Sequence, residues 1–84
     1  MGSNANLKRD QPDKAIELYT PLLEQYKATN DFRGQAETLS QLSSAFERLA
    51  ERAERKRDKI EAQGNHVEAV KKYDAALKIY EDEL

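Results

Sequence analysis

The stretch Glu51-Arg52-Ala53-Glu54-Arg55-Lys56-Arg57-Asp58-Lys59 decides the fold, because an apolar stripe enters it from one side and leaves it on the other. Phe32, Leu39, Phe46, Ala53 and Ile60 recur at sevenfold spacing across it, as on one face of a helix. Only Ala53 is apolar within the run, yet no Gly or Pro interrupts it and every residue is a tolerable or good helix former. The reading is one long helix, about residues 32–63, continuous through the ionic stretch. Ala36, Leu42, Leu49 and Ala50 widen its stripe, enough to pack against a partner on more than one side. Glu51 with Arg55, and Arg57 with Glu61, lie at i,i+4 and are expected to contribute roughly a few tenths of a kcal/mol each.

Upstream, a first helix is expected over about residues 11–28. Asp10 is placed to cap it, and Pro12 and Asp13 fill the first turn, where a missing N–H is harmless and negative charge is favoured. Ala15, Leu18, Tyr19, Leu22, Leu23 and Tyr26 define its buried face. Pro21 removes the bond to the Glu17 carbonyl and crowds that turn, at about 3 kcal/mol. A kink in a single helix is the reading taken; the alternative is a fresh start with Thr20 as cap. Thr29-Asn30-Asp31 makes the turn, with Asn30 or Asp31 as the next cap.

Downstream, Gly64-Asn65 supplies a left-handed stop, and a third helix starts at Asn65 or His66, over about residues 66–82. Its expected core face is Val67, Val70, Tyr73, Leu77, Tyr80 and Leu84, thickened by Ala69, Ala76 and Ile79. The acidic end, Glu81 to Glu83, opposes the helix dipole and is expected to fray.

These elements define an all-α chain of three helices in antiparallel up-down-up order around a long central helix. At 1.5 Å per residue that helix spans about 46 Å, and its neighbours reach roughly 27–30 Å. The first should pair Leu22 with Leu39 and Ala15 with Phe46; the third should bring Leu77 and Tyr80 near Leu49 and Ala53. One copy cannot enclose such a helix, so self-association as a homodimer is expected.

Composition agrees. Charged residues are 36 % and hydrophobic ones 38 % of the 84 residues, with three Gly and two Pro, which suits one small helical domain over residues 10–84. Residues 1–9 read as a disordered, tag-like leader, in which Met1 to Asn6 carry neither the basic nor the apolar region of a secretory signal. Glu81-Asp82-Glu83-Leu84 is only faintly like a retrieval signal. A net charge of −2 gives no general field for nucleic acid or an anionic membrane, and neither partner is expected. The absence of cysteine excludes disulfides and thiolate metal sites, but leaves the compartment open.

Little chemistry can be built from the inventory. His66, the single histidine, begins a helix without a carboxylate at metal-ligand spacing, and reads as a turn or capping side chain. Ser40, Ser43 and Ser44 lie mid-helix with no histidine nearby in sequence, which gives hydrolase chemistry no support. Arg52, Arg55, Lys56, Arg57 and Lys59 mix with Glu51, Glu54 and Asp58 as a solvated face, without aromatics for nucleic acid. Tyr19, Tyr26, Tyr73 and Tyr80 fall on expected core faces as packing residues. No catalytic, metal, cofactor or small-molecule site is expected.

The stretch Gly64-Asn65-His66-Val67-Glu68-Ala69-Val70-Lys71-Lys72-Tyr73-Asp74-Ala75-Ala76-Leu77 resembles the second helix of a tetratricopeptide repeat, a likeness covering residues 64–80. Gly64, Ala69, Tyr73, Ala76 and Leu77 carry it. Leu39, Leu42, Ser43 and Phe46, within residues 36–49, are similar to the first helix of such a repeat. The repeat's turn would fall near Ala50, some fourteen residues before Gly64, so neither half finds its usual mate. Residues 15–50, through Tyr19 to Tyr26, Asp31-Phe32-Arg33 and Ala45-Phe46, more weakly resemble a helical hairpin of Dock-type exchange factors. That family acts through a far larger lobe, so no function carries over.

Two native-looking hairpins sharing one middle helix are what splicing of natural helical fragments would produce, and Pro21 is what an idealised helix would leave out. The sequence therefore reads as a designed or engineered scaffold selected for folding, without activity. The alternative is a tetratricopeptide-like protein–protein interaction module.

Overall fold

The computed structural model describes residues 11–84. It is all-α, with helices α1 (Pro12–Ala28), α2 (Phe32–Arg55) and α3 (Lys59–Asp82) and no strand among the described residues. The expected leader over 1–9 and the cap at Asp10 lie outside them.

In α1, Pro12 occupies the first turn with Asp13 behind it, and Gln11 precedes it without a side-chain cap bond. The helix passes through Pro21 unbroken. Pro21 and Glu17 are both exposed, so water can serve the carbonyl that the proline leaves without a donor. Beside them the Thr20 hydroxyl donates to the Ile16 carbonyl at 2.7 Å. Ala15 and Leu23 are buried and Tyr19, Leu22 and Tyr26 half-buried, but Leu18 is turned out to solvent.

Both turns are built alike. At Thr29-Asn30-Asp31, the Asp31 N–H donates to the Tyr26 carbonyl at 2.9 Å and the Asn30 N–H to that of Lys27 at 3.2 Å, with Asn30 left-handed at φ 56°. Asp31 then caps α2, its Oδ1 accepting the Gly34 N–H at 2.9 Å. At Lys56-Arg57-Asp58, the Asp58 N–H donates to Ala53 and the Arg57 N–H to Glu54, both at 2.9 Å, and Arg57 is left-handed at φ 63°. Asp58 caps α3 by accepting the Glu61 N–H at 3.0 Å. Each turn is a Schellman ending whose last residue caps the next helix.

The long central helix expected over 32–63 is thus corrected: it ends at Arg55, and Gly64 and Asn65 lie inside α3 rather than between helices. Asp58 followed by Glu61 has the spacing of a helix start, and this signal outweighs a run of good helix formers. The Arg57–Glu61 pair is lost with the helix that would have carried it. The sevenfold stripe breaks at the same place. Leu39 and Ala53 are buried and Phe32 and Phe46 half-buried, whereas Ile60, beyond the turn, is 87 % exposed.

Moving the turn also resets α3 against α2. The Ser43 hydroxyl donates to the Ala69 carbonyl at 2.8 Å, and His66 sits beside Glu47; both pairs straddle Arg57 almost symmetrically. Leu77 and Tyr80 therefore do not reach Leu49 and Ala53 as expected. Ala36, Ser43 and Ala50 on α2, and Ala62, Ala69 and Ala76 on α3, are all buried and recur every seventh residue. Such small side chains let two antiparallel helices approach closely. They displace the expected face of α3: Val67, Val70, Tyr73, Leu77, Tyr80 and Leu84 are exposed, while Ala69 and Ala76 are the buried residues.

Helix α1 packs antiparallel on the other side of α2. Arg52 lies 3.5 Å from Asp13 at one end, and the Tyr26 ring lies over Gly34 at the other, where an added Cβ would stand 2.5 Å from it. This register follows the one expected from Leu22–Leu39 and Ala15–Phe46. Leu23, Leu39, Leu42 and Ala76 form the core cluster, with Ile16, Tyr19, Ala75 and Ile79 packed around it.

Candidate functional surfaces

Three surfaces follow from this packing. The first is a cleft of about 430 Å³ where the end of α1, the start of α2 and the end of α3 converge. Leu23, Phe32, Leu39, Ala75 and Ile79 line it together with Lys27, Lys71, Lys72 and Lys78, and Asp82 and Glu83 stand at one end. Lys71 and Lys72 each lie 3.9 Å from Glu68, and Lys27 lies 3.7 Å from Glu24. It can hold a group by packing and by charge; no nucleophile with a base lines it. Sequence reasoning missed it because Lys27 is brought to the α3 lysines only by the tertiary fold.

The second surface carries the histidine. His66 Nδ1 lies 2.8 Å from Glu47 Oε2, a contact between two exposed side chains on neighbouring helices. An ionised carboxylate can only accept, so Nδ1 carries the hydrogen. The sequence expectation of a simple turn or capping role is corrected: His66 is inside α3 and bonds across to α2. Ser43, Ser44, Glu47, Arg48 and Glu51 line a shallow depression here. The Ser43 hydroxyl is committed to the Ala69 carbonyl, which leaves it turned away from a nucleophile's task. Ser44 is exposed and Ser40 half-buried.

The third surface is the outward stripe of α3. Tyr73 and Tyr80, expected in the core, are 53 % and 46 % exposed on it, unlike the half-buried Tyr19 and Tyr26. The basic run behaves differently. Arg55, Lys56, Arg57 and Lys59 project around the second turn into solvent, and among the described residues Arg52 alone of the run's cations reaches a partner in another helix, Asp13.

Among the described residues no cluster of three or more His, Cys, Asp or Glu side chains could hold a metal ion, and no helix is long and apolar enough to cross a membrane. In comparisons with known proteins, no family model, no curated protein and no solved structure matches the chain.

Proposed function

We propose that this chain is a designed or engineered helical scaffold, assembled from native-like fragments, whose role is to fold and which has no biochemical activity of its own. The observation that carries this reading is the fate of the segment Gly64 to Leu77. The residues that give it its tetratricopeptide likeness are divided: Ala69 and Ala76 are buried against α2, while Tyr73 and Leu77 face solvent and Gly64 lies mid-helix. A borrowed segment that left one of its packing partners behind would look like this. Pro21 inside α1 supports the same reading, since a helix written for stability would omit it.

Thermal melts across nucleotide, metabolite, peptide and metal panels, with affinity capture from lysates, test the reading. No saturable shift is expected. A specific partner or ligand bound at submicromolar affinity would overturn it.

The exposed Tyr73 and Leu77 also favour a second reading, a tetratricopeptide-type interaction module. A repeat unit cannot bury its own face and relies on a stacked neighbour. Under this reading affinity capture returns a defined protein partner, which Leu77→Lys releases.

A further inference from the structure

Val70, Tyr73, Leu77 and Tyr80 are each 40–53 % exposed along one side of α3, with Leu84 following just past its C-cap and Val67 exposed beside them on a neighbouring face. From Val70 onward they are spaced three, four, three and four residues apart, the repeat of a coiled-coil seam. Ala62, Ala69 and Ala76 lie roughly a quarter of a turn away around the helix. Helix α3 therefore carries two seams, an alanine seam filled by α2 and a larger one that no other described residue fills. We propose that a second copy of this chain fills it, the two α3 helices packing antiparallel about a two-fold axis beside Tyr73.

Side-chain size favours this occupant and this direction. With the axis between Tyr73 and Asp74, Val70 faces Leu77 of the other copy on either side of it, so a smaller side chain meets a larger one in both layers, while the two Tyr73 rings lie side by side at the axis. A parallel pair would set like on like at every layer, Val70 on Val70 and both tyrosines on tyrosines. Charge selects the same direction. Helix α3 begins beside Arg55, Lys56, Arg57 and Lys59, which outweigh Glu54 and Asp58 in the same turn, and ends in Glu81 and Asp82 followed by Glu83, all exposed. Antiparallel packing sets each acidic end opposite residues 64–66 of the other copy, on the side of its basic turn and away from the other acidic end, and opposes the two helix dipoles. Parallel packing would place the two acidic ends side by side.

The area is of the right order. Tyrosine can bury ~150–250 Å², so two half-exposed tyrosines and four part-exposed aliphatic residues present on the order of 500 Å² per copy. That is most of the ~800 Å² each partner contributes to a standard interface, with flanking side chains of α3 and α2 available for the rest. A two-fold axis makes the contact self-complementary and closed, so association stops at the dimer.

Sedimentation equilibrium from micromolar to submillimolar concentration is expected to show the 9.6 kDa chain passing to twice that mass. Because the sequence has no cysteine, single-cysteine variants report direction cleanly. Tyr73→Cys is expected to cross-link to itself on mild oxidation. Tyr80→Cys alone should not, whereas Val70→Cys should cross-link to Leu77→Cys when the two are mixed. Leu77→Lys, outside the monomer's core, should retain full helicity and sediment as a monomer. A monomer at every concentration, a dimer that survives Leu77→Lys, or self-linkage of Tyr80→Cys as efficient as that of Tyr73→Cys would each overturn the proposal.

Discussion

Arg57 is where residue preference and tertiary structure pull apart. It holds φ at 63°, a conformation that costs an L-residue with a full side chain roughly 1–2 kcal/mol. Replacing it with glycine removes that strain, and Arg57→Gly is expected to raise the unfolding free energy by about 1 kcal/mol in urea titration. Gly64 is the converse case. It is helical, and a Cβ built there meets nothing within 4 Å. Gly64→Ala should stabilise by about 0.5–1 kcal/mol, read from the same titration. Were Gly64 the left-handed stop that its position beside Asn65 implies, alanine would destabilise instead. The paired variants thus locate the turn without any structure determination.

At the scale of elements, the three helices, their antiparallel order and the register of α1 on α2 were all legible from apolar spacing and the Asp31 cap. The boundary between α2 and α3 was not. Nine residues of good helix formers concealed a turn whose hydrogen bonds are made by backbone, and whose one sequence mark is Asp58 three residues before Glu61. Asp58→Ala is expected to lower stability by about 1 kcal/mol through loss of the Glu61 N–H acceptor, measured by thermal or chemical denaturation. The wrong boundary also hid the alanine seam, since counting from a turn at Gly64 favours the larger Val67, Tyr73 and Leu77 as core. Ala69 is 1 % exposed in that seam. Ala69→Leu should therefore destabilise by about 1–3 kcal/mol, because two closely approaching helices must separate to admit the extra carbons.

For the whole molecule, surface charge contributes little to holding the helices together. Every side chain in the Lys and Arg ion pairs is 32–69 % exposed, a setting in which a pair is worth ~0–1 kcal/mol. Raising salt to about 1 M, where screening acts over ~3 Å, should move the melting temperature by only a few degrees. A large fall would place the Asp13–Arg52 contact among the main supports of α1. The candidate surfaces were less legible than the fold. The lysine-lined cleft and the Glu47–His66 contact each join residues from different helices, and no spacing along the chain could bring them together.

Helix α2 lies between α1 and α3, and only three residues link each helix to the next. Most helix contact is between elements adjacent along the chain, α1 meeting α3 mainly where Leu23 joins Ala76 and Ile79 in the core, so either hairpin can form before the remaining helix arrives. Closing either connector costs little entropy, which places the molecule among the fast folders, on the microsecond-to-millisecond scale. Either hairpin can nucleate first and offer the middle helix as a ready template for the last one to zip onto.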